Sequence, residues 1–167
     1  MLQRFESKYL DQRVAIDEPV YETLIEAATA AGGHETGGIL IGRYTDSRLA
    51  IVEHATTAPR DSRRGHGWFE RGTDGLEEIL QRHWDAPVRR YYIGEWHFHP
   101  SPDGTPSDQD MAQMFEVASQ QRYDCKHPVL MIISHDMEGA WLFRVLLFAP
   151  EGCAHELTIA LQGDASK

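Results

Sequence analysis

The spacing of hydrophobic and polar residues predicts helices at 17–31, 73–84 and 107–121. The first begins with Asp17-Glu18-Pro19, which places acids and a proline at a helix start, and it ends before Gly32-Gly33. Thr73 is the predicted N-cap of the second helix. Each helix has one apolar face, so each is expected to pack against a sheet.

Runs of β-branched and aromatic residues predict strands between the helices. They lie at 5–16, 39–44, 49–55, 90–99, 128–134, 140–149 and 154–160. A polar run punctuated by glycine at 58–69 predicts a loop, and residues 162–167 are expected to be a frayed tail. This order of elements indicates an α+β (mixed α/β) fold built on one largely antiparallel central sheet flanked by helices.

Composition narrows the class of protein. With 167 residues and 41% hydrophobic residues, the chain is long enough for one domain spanning 1–167. Its net charge of -10 argues against a nucleic acid or an anionic membrane as the main partner. No apolar signal segment or membrane span is visible, so a cytoplasmic protein is expected. Cys125 and Cys153 are expected to be reduced structural thiols.

The strand predicted at 90–99 carries the residues with the clearest chemistry. His97 and His99 are two positions apart, so their side chains lie on one face, roughly 6.5 Å apart along the strand. A loop rich in proline and glycine then returns the chain to Asp110 at the start of a helical pattern. Two imidazoles and one carboxylate predict a zinc site with an open fourth position, which is the arrangement of catalytic zinc.

Several residues of this region have a second interpretation. Ser107 and Asp110 also fit an ordinary helix N-terminus, and Thr105 followed by Pro106 offers an alternative cap. Glu95 shares the face of His97, and it is either a rival ligand, a carboxylate that orients an imidazole, or a charge at a strand edge. The edge charge is the favoured interpretation. His66 is a weaker rival ligand.

The joint spacing His97-x-His99-Pro100-x6-Ser107-x-x-Asp110 resembles the signature of the JAMM metallopeptidases, the active members of the MPN-domain family. Members of this family carry a catalytic glutamate near the start of the domain, followed by a glycine-rich apolar strand. The segment 35–42, Glu-Thr-Gly-Gly-Ile-Leu-Ile-Gly, is similar to that part of the family. The resemblance extends over about 15–149. It implies a cytidine-deaminase-like three-layer fold.

Position by position, the resemblance implies that Glu35 is the general base and that Ser107 helps to hold an oxyanion. It implies that His97, His99 and Asp110 bind Zn²⁺. The sequence around these histidines is similar to that of bacterial stand-alone deconjugating peptidases of anti-phage operons. The implied reaction is cleavage after the C-terminal tail of a ubiquitin-like modifier, in a precursor or a conjugate.

The implied partners are therefore a ubiquitin-like modifier and its conjugates, together with the activating and conjugating enzymes of such a system. The arginines at 60, 63 and 64 are candidates for binding the modifier. The simpler interpretation is that they lie in a solvated loop. A zinc deaminase is a rival class, but it requires a Pro-Cys-x-x-Cys segment that the sequence lacks. The other alternative is a catalytically inactive MPN-type scaffold that binds proteins.

Overall fold

The structure is a computed structural model that describes residues 2–7, 11–46 and 48–160. The tail predicted from residue 162 onward lies outside these residues. The strands are β1 (Leu2–Glu6), β2 (Arg13–Asp17), β3 (Thr36–Tyr44), β4 (Leu49–Ala55), β5 (Arg63–Arg64), β6 (Phe69–Glu70), β7 (Tyr91–Phe98), β8 (Val129–His135), β9 (Trp141–Ala149) and β10 (Cys153–Ile159). The helices are α1 (Glu18–Ala31), α2 (Leu76–Trp84) and α3 (Asp108–Ser119), with a 3₁₀ turn at Gln121–Tyr123.

Eight strands form one closed barrel in the order β1-β10-β9-β8-β7-β3-β4-β2. The pairs β2–β4 and β7–β8 are parallel, whereas the other pairs are antiparallel. The predicted mixed α/β class and largely antiparallel sheet are confirmed. The expected three-layer description is incomplete, because β1 pairs with both β10 and β2 and thereby closes the sheet.

The prediction of one strand over 5–16 is wrong, because β1 and β2 are separate antiparallel strands. The physical reason is that the polar residues Ser7, Asp11 and Gln12 separate the buried residues, which are Phe5 in β1 and 14–16 in β2. A backbone hydrogen bond from Ser7 N to Gln12 O, 3.3 Å long, joins the end of β1 to the start of β2.

The two faces of the sheet contact different helices. The inner face packs against α1, through Val20, Leu24 and Ala28. The outer face packs against α2 through Leu76, and against α3 through Met114. Side chains of β7 that point to the outer face therefore lie in the space between the sheet, α2 and α3.

The observed helix termini agree in part with those predicted from the sequence. α1 starts where predicted, with Asp17 as its N-cap, and Gly32 ends it in the left-handed conformation with φ of 64°. The prediction that Thr73 caps α2 is wrong, because the N-cap is Gly75 and no side chain caps this helix. Asp61 instead accepts hydrogen bonds from the amides of Thr73 and Asp74, so the preceding loop supplies the carboxylate that orders this turn.

The segment 58–69, predicted to be a loop, contains one strand of a short β-hairpin and the start of the other. Arg64 pairs with Phe69, and Gly65 N donates a hydrogen bond of 2.9 Å to Trp68 O. Glu35 N in turn donates to Gly65 O at 3.0 Å. The hairpin is therefore joined by main-chain bonding to the segment that precedes β3.

The cysteines are both free, but their environments differ. Cys125 is buried and Cys153 is exposed, so only Cys125 has the environment expected of a structural thiol. Burial raises the pKa of Cys125 to about 12. Within residues 2–7, 11–46 and 48–160, no helix combines the length and apolar character needed to cross a membrane.

Candidate metal centre

The pairing of β7 with its neighbours places His97 and His99 on the outer face of the sheet. His97 lies opposite Gly37 of β3, and the amide of His99 donates to Ile133 O at 2.8 Å. Both residues are buried: 2% of the surface of His97 and 6% of the surface of His99 is exposed. The prediction that they share one face is confirmed, since their ring centroids are 6.4 Å apart.

Gly37 makes room for His97. A Cβ at this position would lie 2.4 Å from Trp96 O and 2.9 Å from Cδ2 of His97, so a larger side chain would displace the imidazole. Phe69 of β6 meets the same ring edge-on, with 5.5 Å between centroids. The glycine-rich start of β3 is therefore part of the site, because it sets how closely the two strands approach.

Asp110 reaches the histidines from the first turn of α3. Ser107 is the N-cap of this helix, which decides between the two alternative caps. Its hydroxyl accepts from Asp110 N at 3.1 Å, and Ser107 N donates to Asp110 Oδ2 at 2.7 Å, which completes a capping box. The Ser107 hydroxyl also donates to Asp110 Oδ2 at 2.8 Å. The same contacts cap the helix and fix the carboxylate.

The three predicted ligand side chains converge. One ligand atom from each of His97, His99 and Asp110 lies within 4.8 Å of the others. Asp110 Oδ1 is 2.6 Å from His97 Nδ1, and Oδ2 is 3.2 Å from His99 Nε2. Among the described residues, this is the group of histidine and acidic side chains with metal-binding geometry, and His66 is not a member of it.

The nitrogens of this cluster fit a cation. His99 Nδ1 lies 3.0 Å from the carbonyl oxygen of Thr105, and because a carbonyl only accepts, Nδ1 carries the proton. In the neutral ring, Nε2 therefore presents a lone pair. Nε2 of His99 is buried without a hydrogen-bond partner in the structure, and it is Nδ1 of His97 that lies beside Asp110. Two imidazole nitrogens and a carboxylate oxygen are a donor set that suits Zn²⁺.

The electrostatics of the cluster also favour a cation. Burial alone would lower the pKa of His97, but its contacts with Asp110 and Glu95 raise that pKa to about 9. Burial opposes ionisation of Asp110, yet the two histidines hold its pKa well below the ordinary range. Histidines that bind a metal ion are neutral. In that state, the three carboxylates of Glu35, Glu95 and Asp110 and the Arg71 guanidinium leave two negative charges, which a divalent cation neutralises.

Glu35 lies at the edge of this cluster. It precedes β3, one residue before the pair formed by Thr36 and Phe98, so strand alternation directs it toward the face of His99. Burial raises the pKa of Glu35, while the nearby His99 opposes that shift. The structure thus brings together all five sequence-predicted site residues, Glu35, His97, His99, Ser107 and Asp110.

Glu95 is fully buried, so its favoured interpretation as a charge at a strand edge is wrong. β7 is a central strand between β3 and β8, and its outer face is covered by α2 and α3. Arg71 compensates the charge through two hydrogen bonds to the carboxylate, of 3.2 and 2.9 Å. Arg71 was missed by the sequence analysis, because no local pattern indicates which cation meets a buried acid.

Trp68 and Trp96 differ in exposure. Trp68, at the end of the β5–β6 turn, is 44% exposed, whereas Trp96 is fully buried on the inner face and donates to Thr56 O. A separate groove of about 870 Å³ lies between α2 and the 3₁₀ turn, where Trp84 and Tyr123 are among its lining residues. Arg71 and Tyr92, which both contact Glu95, are also among its lining residues.

Comparisons with known proteins agree with this geometry. A family model described as Prok-JAB, prokaryotic homologs of the JAB domain, matches residues 17–146. A protein of Enterobacter hormaechei named "CD-NTase/cGAS isopeptidase" is 40% identical over 129 residues, covering 77% of this chain and 71% of that protein. A protein of the same name from Pseudomonas aeruginosa is 32% identical over 100 residues, covering 59% of this chain and 61% of that protein.

Two more distant matches extend the comparison. The "Probable metalloprotease y4qB" of Sinorhizobium fredii is 26% identical over 143 residues, covering 80% of this chain and 87% of that protein. The solution structure of protein DSY2949 from Desulfitobacterium hafniense matches 90% of this chain and 94% of that one, with a TM-score of 0.60 and 20% identity. The last similarity shows a shared fold.

Proposed function

Because the chain belongs to the Prok-JAB family, the prokaryotic homologs of the JAB domain, we propose that it is a zinc-dependent peptidase or isopeptidase. Its substrate is a peptide or isopeptide bond after the C-terminal tail of a ubiquitin-like modifier. The observation that carries the proposal is the convergence of His97, His99 and Asp110 beside Glu35. Relatives named isopeptidase and metalloprotease support the hydrolytic reaction.

In this proposal His97, His99 and Asp110 hold the metal. When bound, Zn²⁺ at a site with three protein ligands polarises a carbonyl and lowers the pKa of water to about 7. Asp110 is suited to this task because its capping contacts with Ser107 fix the carboxylate before any metal arrives. The Thr105 carbonyl similarly fixes His99, so two of the ligands are preorganised by backbone groups.

Glu35 is the proposed general base. Its carboxylate takes a proton from the attacking water and transfers it to the leaving nitrogen, so it returns to its ionised form at the end of each cycle. A half-buried position and a raised pKa suit a group that must both accept and release a proton. The helix N-terminus at Ser107 favours negative charge, which supports a place for the oxyanion there.

The proposed substrate lies extended beside the β5–β6 hairpin. Arg63 and Arg64 are exposed on β5, and the Arg64 guanidinium lies 3.4 Å from Thr36 Oγ1, next to Glu35 in the chain. Arg60 is exposed on the preceding turn. A strand edge offers main-chain hydrogen bonds that fix the register of an extended tail, and the arginines offer contacts to the modifier itself.

The decisive experiment compares two fusions of a ubiquitin-like modifier to a reporter protein. One has the natural tail, and in the other the tail glycines are replaced. We expect the zinc-loaded enzyme to cleave the first and to lose most of its kcat/KM on the second. Equal cleavage of both, or of unrelated unfolded peptides, would leave a general metallopeptidase. A zinc-loaded protein that cleaves none of them would favour the scaffold alternative.

Ser107→Ala tests the proposed oxyanion role against simple capping. Loss of the cap is expected to lower the free energy of unfolding by about 1 kcal/mol in a urea titration. If the hydroxyl also turns from Asp110 to the oxyanion, kcat should fall by about 100-fold or more. Ser119→Ala, at the other end of α3, is the matched control. A stability loss with normal turnover would assign Ser107 to capping alone.

A further inference from the structure

The imidazole of His97 is held between two carboxylates. Asp110 Oδ1 lies 2.6 Å from Nδ1, and Glu95 Oε2 lies 3.7 Å from Nε2, at the other ring nitrogen. The cluster with metal-binding geometry includes Asp110 and not Glu95. The two acids therefore differ in their relation to a metal, although both contact the same ring.

The oxygens of Glu95 are fully engaged by other side chains. Oε1 accepts from Arg71 Nη2 at 2.9 Å and from the Tyr92 hydroxyl at 3.3 Å. Oε2 accepts from Arg71 Nε at 3.2 Å and from Gln113 Nε2 at 3.0 Å. These four contacts hold the carboxylate in place beside His97, and Glu95 lies outside the group with metal-binding geometry. Glu95 is thus placed beside a ligand without being one.

A β-bulge brings part of this network together. Leu40 pairs with Gly94 and Ile41 pairs with Tyr92, so β7 carries one extra residue between these pairs. Without the bulge, Tyr92 and Glu95 would point to opposite faces, because they are three residues apart. The extra residue turns both toward the outer face, which is how bulges re-aim side chains beside functional sites.

Stability alone does not account for the pair. The Arg71 side chain is 10% exposed and the Glu95 side chain is fully buried, and a buried ion pair of this kind is often no more stabilising than apolar residues of similar size. What the pair supplies is a fixed orientation of the Glu95 carboxylate. A bidentate guanidinium holds the plane of a carboxylate, and a held carboxylate restricts the group that it touches.

We propose that the Arg71–Glu95 pair, with Tyr92 and Gln113, positions the imidazole of His97 for metal binding. Arg71 and Glu95 act through His97, so they are positioning residues and not ligands. The inference rests on the proposed function in taking His97 as a metal ligand. It does not depend on the identity of the substrate, which allows the two to be tested separately.

The test measures metal binding by the whole metal-free protein, without any substrate. Zn²⁺ affinity is determined by competition with a chromogenic chelator, and bound Co²⁺ reports ligand geometry through its visible absorption. We expect Glu95→Gln to weaken Zn²⁺ binding by about 10–100-fold and to alter the Co²⁺ spectrum. Arg71→Lys keeps the charge but loses the bidentate contact, so its loss should be smaller. Gln113→Ala, which removes one donor, should lose least.

Glu53→Gln is the matched control. Glu53 lies 3.3 Å from Arg43 Nε and 3.2 Å from Arg90 Nε, outside the metal cluster. This variant should retain wild-type Zn²⁺ affinity even if its melting temperature falls. If Glu95→Gln does not fold, the graded losses in Arg71→Lys and Gln113→Ala carry the test.

Two results would overturn the inference alone. Wild-type Zn²⁺ affinity in folded Glu95→Gln and Arg71→Lys would make the pair merely structural. Loss of all binding in Glu95→Gln, equal to the loss in Asp110→Ala, would make Glu95 a ligand. A wild-type protein that binds no Zn²⁺ would overturn the proposed function and this inference with it.

Discussion

Replacing Asp110 with alanine is expected to abolish zinc binding and hydrolysis together. The purified wild-type protein should hold about one Zn²⁺ per chain, because three protein ligands suit one such ion. The variant loses the carboxylate that contacts both histidines. The loss of affinity should exceed the roughly 10–100-fold typical of groups that only support a ligand. Metal analysis after dialysis, with activity on the same sample, measures both.

The side chain of Asp110 also caps α3, so the experiment needs a control for helix stability. Asp108 lies in the same first turn, is exposed, and is not part of the cluster. Asp108→Ala should cost a few tenths of a kcal/mol through the helix dipole and keep both metal and activity. Full zinc occupancy in Asp110→Ala, with loss of zinc in Asp108→Ala, would mean that Asp108 and not Asp110 is the ligand. His97→Ala and His99→Ala should behave as Asp110→Ala does.

The positions of the three proposed ligands were predictable because they depend on local geometry. Strand alternation fixes His97 and His99 on one face, and a capping box fixes Asp110 in the first turn of its helix. The family resemblance drawn from this spacing is confirmed by the family match over 17–146. Short-range rules of this kind hold whatever the rest of the chain does.

The features that the sequence analysis missed depend on distant parts of the chain. The burial of Glu95 follows from two helices covering β7, and its partner Arg71 is 24 residues away. Closure of the barrel requires β1 to pair with β10, whose partner residues Phe5 and Ile159 lie at opposite ends of the described chain. No periodicity within a short window carries this information. Alternation also fails at the bulge, where one extra residue changes the face of Tyr92.

Glu35→Gln is expected to separate catalysis from metal binding. Glutamine has nearly the same shape as glutamate but cannot take a proton from water, so kcat should fall by about 100–10,000-fold. Zinc content and KM should change little, because Glu35 lies outside the group of residues that converge on the ion. Single-turnover rates of the zinc-loaded variant, with zinc content measured on the same sample, distinguish a chemical defect from a loading defect.

The pH dependence gives Glu35 a second signature. A general base must be ionised, and burial raises the pKa of Glu35, so the wild-type kcat/KM should begin to fall at a higher pH than an ordinary exposed carboxylate would allow. The residual activity of Glu35→Gln should lack this acidic limb. Glu70→Gln, on the exposed side of β6, should keep both the rate and the limb. Wild-type turnover by zinc-loaded Glu35→Gln would remove Glu35 from the mechanism, and another group would then have to accept the proton.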